Sequence, residues 1–209
     1  MYDTSQPYAD NQQKPGFRGG IQPGTSASSI FSRDTENIPY QWIQSNLSHI
    51  EHTYNIRWKK RMTSQEIKSR INSKFTDDIN GMNPDGGMFL DDNDNILLVI
   101  ECKHQGARGN AIERWGLNAI TAKSMGALRY MTIFTGEGFS SPDKYPCKVL
   151  SRYCISDLCH NSTCWHDDGP DAFAGNYFYN NLEILRNTVG KDIIHEIELA
   201  KNRSQEMVS

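Results

Sequence analysis

Pro84-Asp85 is followed, after fifteen intervening residues, by Glu101-Cys102-Lys103. Two carboxylates beside an ammonium suit hydrolysis of a phosphodiester. Mg²⁺ accepts oxygen ligands from one or two carboxylates while keeping several waters. An ion held there polarises the phosphoryl oxygen, lowers the pKa of a bound water and steadies the leaving oxygen. Lys103 suits orientation of the attacking water and charge stabilisation. It could act as a base only if burial or nearby positive charge depressed its pKa, and the neighbouring carboxylates push the other way. The plainer reading makes Asp85 and Asp91 to Asp94 turn residues and puts Glu101 and Lys103 on a solvated strand face. The combined pattern weighs against it.

The elements that must position these groups are legible around them. Met88, Phe89 and Leu90 are apolar, Asp91 to Asn95 form a polar turn, and Ile96 to Ile100 are apolar again. That is a β-hairpin pattern. Asp85 lies six positions before Asp91, and Glu101 six after Asn95. Two antiparallel arms at roughly 3.3 Å per residue therefore bring the two carboxylates side by side. Alternation along the strand puts Glu101 and Lys103 on one face and Cys102 on the other.

The Pro84-Asp85 and Glu101-Cys102-Lys103 pattern resembles the PD-(D/E)xK nuclease signature. The residues that follow, Lys103-His104-Gln105-Gly106 and Gly109-Asn110-Ala111-Ile112-Glu113-Arg114, narrow the resemblance to EcoRI-like type II restriction endonucleases. The similarity covers about thirty residues, more loosely the strand after them, and neither the first 50 nor the last 60. In the enzyme that gives the group its name a long arm separates the two strings, whereas here only Ala107 and Arg108 do. DNA contacts made by such an arm are not carried over.

The resemblance implies a restriction-endonuclease-like α/β fold, a mixed sheet flanked by helices, with Asp85, Glu101 and the Cys102 carbonyl holding Mg²⁺ (or Mn²⁺) and Lys103 orienting the water. It implies a helix opening at Gly109 to Arg114 that points into the major groove. Asparagine pairs bidentately with adenine N6 and N7, and arginine forks onto purine acceptors. Asn110 and Arg114 are the expected base readers. Glu113 accepts from base amino groups or holds Arg114, and Ala111 and Ile112 pack on a base or a thymine methyl. Asn110 also suits the N-cap of that helix. Gln105 and Arg108 are candidates for selecting outer bases. A two-fold homodimer on a palindrome, an AATT core, staggered cuts with four-base 5′ overhangs and a cognate DNA methyltransferase acting on the same site complete the implied picture.

The rest of the chain supports this core. Residues 1 to about 36 are rich in Gln, Gly, Ser, Pro and Asn without periodicity, which reads as a flexible arm, with Phe17 and Arg18 available to a duplex or a partner subunit, or as a dispensable tail. Residues 37–209 form the expected endonuclease domain, beginning near Ile38 with Trp42, Ile43, Leu47 and Ile50 on one face of a helix. Arg57, Lys59, Lys60, Arg61, Lys68, Arg70 and Lys74, with Glu66 the only acid among them, either neutralise phosphates or are merely solvated. Thr63-Ser64-Gln65-Glu66 reads as a capping box with Met62 and Ile67 as a staple, starting a helix that carries Ile67, Ile71 and Phe75. Arg129 to Thr135 reads as a strand ended by Gly136, Glu137 and Gly138, and it resembles the central strand that follows the equivalent helix in the family. Helices on both sides of it would complete an α/β sandwich.

Pro142 to Ala174 is turn-rich and holds four of the five cysteines. Cys154, Cys159, Cys164 and His166 have the chemistry of a tetrahedral structural zinc site at a spacing that matches no common finger. Buried free thiols are the plainer expectation, with zinc second and disulfides last. Leu182, Leu185, Ile193, Ile194, Ile197 and Leu199 support one or two amphipathic helices, interrupted near Gly190, for packing or a dimer interface.

A hydrophobic content of 37% suits one domain of ordinary size, and the lack of a long apolar run predicts a cytoplasmic protein off the membrane. A net charge of −3 is unusual for a nucleic-acid partner, and Asp85, Asp91, Asp92, Asp94 and Glu101 concentrate part of the acid where a metal would neutralise it. The expected activity is Mg²⁺-dependent, sequence-specific cleavage of double-stranded DNA. The alternatives are a structure-specific repair, junction-resolving or transposition nuclease, and a non-catalytic DNA-binding protein.

Overall fold

The computed structural model describes residues 27–71, 81–104, 118–119, 121–135, 173–179 and 181–207. In chain order these form helix α1 (Ala27–Tyr54), strand β1 (Arg57–Lys59), helix α2 (Ser64–Arg70), strands β2 (Gly87–Leu90), β3 (Ile96–His104), β4 (Arg129–Thr135) and β5 (Ala174–Tyr179), and helix α3 (Leu182–Glu206). A short helical stretch at 121–124 precedes β4.

The hairpin forms as the apolar–polar–apolar pattern predicts. In its turn the Asp91 carboxylate accepts the N–H groups of Asn93 at 2.9 Å and Asn95 at 2.8 Å, and Asp94 takes a φ of 65°. A short Asx side chain tolerates that left-handed conformation by bonding locally. The register sets Met88 opposite Val99 and Gly87 opposite Ile100. From Leu98 onward β3 also pairs in parallel with β4, and β4 in parallel with β5. The result is a five-stranded mixed sheet in the order β1-β2-β3-β4-β5, with β1 and β2 antiparallel. Every residue of β4 is buried, as expected for the interior strand of a parallel pairing covered on both faces.

Helices α1 and α3 pack against each other and against the sheet. Ile43 and Ile50 from α1, with Trp42 and Leu47 at their margin, meet Leu185, Val189, Ile193, Ile197 and Ala200 from α3. Under both lie Leu98, Ile100 and Cys102 of β3 and Met131 and Ile133 of β4. Because side chains alternate along a strand, Val99, Glu101 and Lys103 face the other way. Val99, Glu101, Tyr130 and Thr132 are buried there as well. The architecture is mixed α/β. No helix among the described residues is long and apolar enough to cross a membrane.

Three boundaries differ from expectation. Helix α1 starts at Ala27, inside the stretch read as an arm, so that the expected boundary after residue 36 falls within a helix. The sequence suggests a later start because the residues before Ile38 lack periodicity; Pro39, of a residue type that favours a first helical turn, lies in the interior. One tie for this extension is Thr35, fully buried, whose hydroxyl bonds the Thr135 hydroxyl at the end of β4. Helix α3 is not interrupted at Gly190. A Cβ there would lie 2.3 Å from Cε2 of Trp42, so the glycine admits the α1 indole and does not break the helix. Helix α2 has its capping box, but it stops at Arg70 with Ile71 extended (φ −98°, ψ 111°), so the four-residue periodicity is not continued. Phe75 and Lys74 lie outside the described residues.

Candidate active site

Asp85 reaches the site on a loop that stands out of the sheet. On one side Lys59 pairs with Met88, and on the other Met62 bridges to Met82. Between these two anchor points residues 60–61 face residues 83–87, two against five. The longer side must bulge, and bulges of this kind re-aim side chains beside active sites. Within the bulge Gly87 N–H closes a tight turn onto Pro84 O at 3.0 Å, and Gly86 N–H donates to Ile100 O at 2.9 Å. Gly87 has a φ of 78°, and a Cβ there would stand 2.5 Å from Nε1 of Trp58. Only glycine satisfies both conditions.

The bulge delivers the Asp85 carboxylate to β3. Its Oδ2 accepts the main-chain N–H of Cys102 at 3.2 Å and lies 3.5 Å from Lys103 Nζ. Lys103 also forms an ion pair with Glu101 Oε1 and donates to the carbonyl of Cys102 at 3.0 Å. The ammonium therefore gathers three oxygens, from Asp85, Glu101 and the Cys102 carbonyl. These are the same three that the sequence assigns to a divalent ion. Asp85, Glu101, Cys102 and Lys103 are thus brought together as expected.

Glu101 is only 3% exposed, and its second oxygen, Oε2, is buried without a hydrogen-bond partner among the described residues. Such an oxygen is costly unless something electropositive meets it. Burial raises the Glu101 pKa, Lys103 opposes the rise, and the nearby Asp85 charge adds to it. Burial alone would depress Lys103, but the fields of Glu101 and Asp85 outweigh it and hold the ammonium above its ordinary value. Lys103 is accordingly a cation at neutral pH. The Cys102 thiol lies on the opposite face in the apolar core, where burial first, then the two carboxylates, push its pKa up. Tyr130, across the sheet on β4, is raised by burial and by the same two carboxylates.

Three residues that the sequence reading left unassigned or treated only as surface charge touch this site. Lys60 donates from Nζ to the carbonyl of Asp85, and the same ammonium lies 4.7 Å from the centre of the Tyr40 ring. Trp58 Nε1 donates to Gly86 O at 3.0 Å, and its ring lies 5.9 Å from that of Tyr40. The available signal was the alternation in Arg57-Trp58-Lys59-Lys60, which puts Trp58 and Lys60 on one side of an edge strand. Elsewhere in the basic segment Arg57 is paired with Asp94 and Lys59 with Glu66.

The expected base readers Gln105, Arg108, Asn110, Ala111, Glu113 and Arg114 lie outside the described residues, as do the zinc candidates Cys154, Cys159, Cys164 and His166. Among the described residues no three His, Cys, Asp or Glu side chains gather as a metal-binding group, so the site offers two carboxylates and one main-chain carbonyl. No protein-family model, curated protein or solved structure matches the chain.

Proposed function

We propose that this chain is a Mg²⁺-dependent endonuclease that cuts double-stranded DNA at a short specific site, in the manner of EcoRI-like type II restriction enzymes. The observation that carries the reading is the convergence of Asp85, Glu101 and Lys103 at the mouth of one hairpin, with a buried Glu101 oxygen that has no hydrogen-bond partner among the described residues. Two hard anionic oxygens, one of them orphaned, and an adjacent carbonyl fit Mg²⁺, which prefers few carboxylates and retained waters. Asp85, Glu101 and the Cys102 carbonyl would hold the ion. When bound, it supplies Lewis-acid polarisation of the phosphoryl oxygen and a more acidic water.

The protein's own groups do the rest. Lys103, kept cationic by its carboxylate neighbours, orients the attacking water and offsets negative charge growing on the phosphoryl oxygens. It does not serve as the base. In-line attack forms the new phosphorus–oxygen bond and breaks the bond to the 3′ oxygen, leaving a 3′-hydroxyl and a 5′-phosphate. The basic segment beside β1 contributes Arg61, Lys68 and Arg70 as candidate phosphate contacts, fewer than its charge suggests because Arg57 and Lys59 are engaged internally. Base reading is assigned to Asn110 and Arg114, with Gln105, Arg108, Ala111 and Glu113 around them, on the strength of the Gly109–Arg114 motif. A homodimer on a palindrome, an AATT core and a cognate methyltransferase belong to the same proposal.

Digestion of a plasmid of known sequence with Mg²⁺, followed by sequencing of the fragment ends, tests it. Discrete fragments with identical four-base 5′ extensions are the expected result. Cleavage only at nicks, branches or ends would replace the restriction reading with a structure-specific one. A plasmid left intact with both Mg²⁺ and Mn²⁺ overturns the enzymatic reading.

A further inference from the structure

We propose that Lys60 and Trp58 are positioning residues that pin the Asp85 loop from the neighbouring edge strand, so that the affinity of the site for its divalent ion is set partly by β1. The inference rests on the metal-site reading of Asp85 and Glu101. Its starting point is the mismatch of two residues against five between the Lys59–Met88 and Met62–Met82 anchors. A loop with three more residues than its partner side is not held by the β1 ladder. Something else must fix where its aspartate points.

The contacts that do so come from two directions. From β3, Ile100 O accepts Gly86 N–H and the Cys102 N–H donates to the carboxylate itself. From β1, Lys60 binds the carbonyl of Asp85 and Trp58 that of the next residue, Gly86. These oxygens belong to two successive peptide planes that meet at Gly86. The Asp85–Gly86 plane is held at its oxygen by Lys60 and at its N–H by Ile100 O, the next plane is held by Trp58, and the first of them adjoins the Cα that carries the Asp85 side chain. The two pins are themselves braced. Glu51 accepts the main-chain N–H of Trp58 at 2.8 Å, the Tyr40 ring packs against the indole at a tilt of 57° and lies under the Lys60 ammonium, and Gly87 leaves room for the indole edge. A lysine in a basic run would ordinarily be counted as a phosphate contact. Lys60 instead spends a donor on the main chain of the catalytic loop, and it acts on the chemistry only through Asp85.

Outer groups that orient metal ligands typically alter metal affinity or activity by about 10- to 100-fold when removed. The test is binding of Mn²⁺ alone to the full chain without DNA, followed by electron paramagnetic resonance or calorimetry, together with the Mg²⁺ midpoint for cleavage. Lys60→Met keeps the stem over Tyr40 and loses the donor. Its Mn²⁺ affinity should fall about 10- to 100-fold, with Lys60→Arg restoring most of it and saturating Mg²⁺ restoring most of kcat. Trp58→Phe, which keeps an aromatic ring and loses the indole N–H together with part of the ring edge against Gly87, should shift the same way, and it carries the test if Lys60→Met proves unfolded by circular dichroism. Unchanged Mn²⁺ affinity in Lys60→Met, with weaker duplex binding and a shallower salt dependence, overturns the proposal and makes Lys60 a phosphate contact. Wild-type protein that binds Mn²⁺ no better than Asp85→Asn would instead sink the metal-site reading, and this inference with it.

Discussion

Replacing Glu196 by Gln should cost the fold about 3–5 kcal/mol, the usual penalty for breaking one side of a buried ion pair. Arg129 opens β4, directly beside β3, and is 0% exposed. Glu196 reaches it from α3 with two bonds, Nε to Oε2 at 2.7 Å and a guanidinium nitrogen to Oε1 at 2.8 Å. Tyr177 on β5 adds its hydroxyl to Oε1 at 2.7 Å. Burial, then the Glu196 charge, drive that phenol far above its ordinary pKa, so it remains a neutral donor. The pocket is closed from below by Gly175, where a Cβ would stand 2.2 Å from Oε1. Glutamine keeps the shape but removes the negative charge that neutralises a guanidinium taken out of water. With a urea m value near the upper end of about 1–3 kcal/mol per molar, the midpoint should drop by about 1–2 M. The same reasoning makes Arg129→Met with Glu196→Leu milder than Glu196→Gln, because both charges leave together. Equilibrium urea unfolding followed by circular dichroism reads both. A loss under about 1 kcal/mol for Glu196→Gln, or a double variant weaker than the single, would refute the argument that this pair anchors α3 to the sheet.

Asp85→Asn and Lys103→Met should each bind a cognate duplex in a gel-shift assay while cleaving it at least about 100-fold more slowly in single turnover. Cleavage and Mn²⁺ binding should both fall as pH is lowered through the raised Glu101 pKa, above the ordinary carboxylate value of 4.5, because protonation removes a ligand charge; a pH profile flat down to that value would contradict it. Gly190→Ala drives a methyl into the Trp42 ring and should destabilise by about 1–3 kcal/mol, seen as a lowered melting temperature. Thr63→Ala removes the cap of α2 and should cost about 1 kcal/mol. The partner in that box, Glu66, has its pKa lowered to about 2, chiefly by Lys59 and then by the Thr63 N–H and hydroxyl. Its contribution is therefore present above the unfolded value of 4.5 and lost as pH falls toward 2, and an NMR titration of the Glu66 carboxyl should give a midpoint near 2.

The β2–β3 hairpin was legible in the sequence because its signals are local. The Asx turn, the two apolar arms and the E-x-K alternation all act within about twenty residues, and together they fix which side chains meet. The same holds for the Thr63 capping box and for the strand Arg129–Thr135. What the sequence hid depends on contacts between distant segments. Gly190 looked like a helix breaker because its reason for being glycine, the Trp42 ring, lies on another helix. The early start of α1 did not show because one tie for its early turns, the buried pair Thr35 and Thr135, spans a hundred residues. Lys60 was hidden in a basic run, where charge says nothing about which donor faces a main-chain carbonyl. Arg129 and Glu196 gave no sign of pairing across 67 positions.

The closed end of the β2–β3 ribbon lies far from the chemistry, and this has a bearing on how such proteins are recognised. Gly87 and Ile100 are matched at the open end, next to the carboxylates, whereas the Asp91–Asn95 reversal sits at the other. Extra residues spliced into that reversal would widen the interval in the written sequence and leave the acids equally close in space. The number separating P-D from E-x-K is therefore a measure of ribbon length and does not by itself set how close the acids lie. A search for kin should score the matched rungs near the acids and let the interval float.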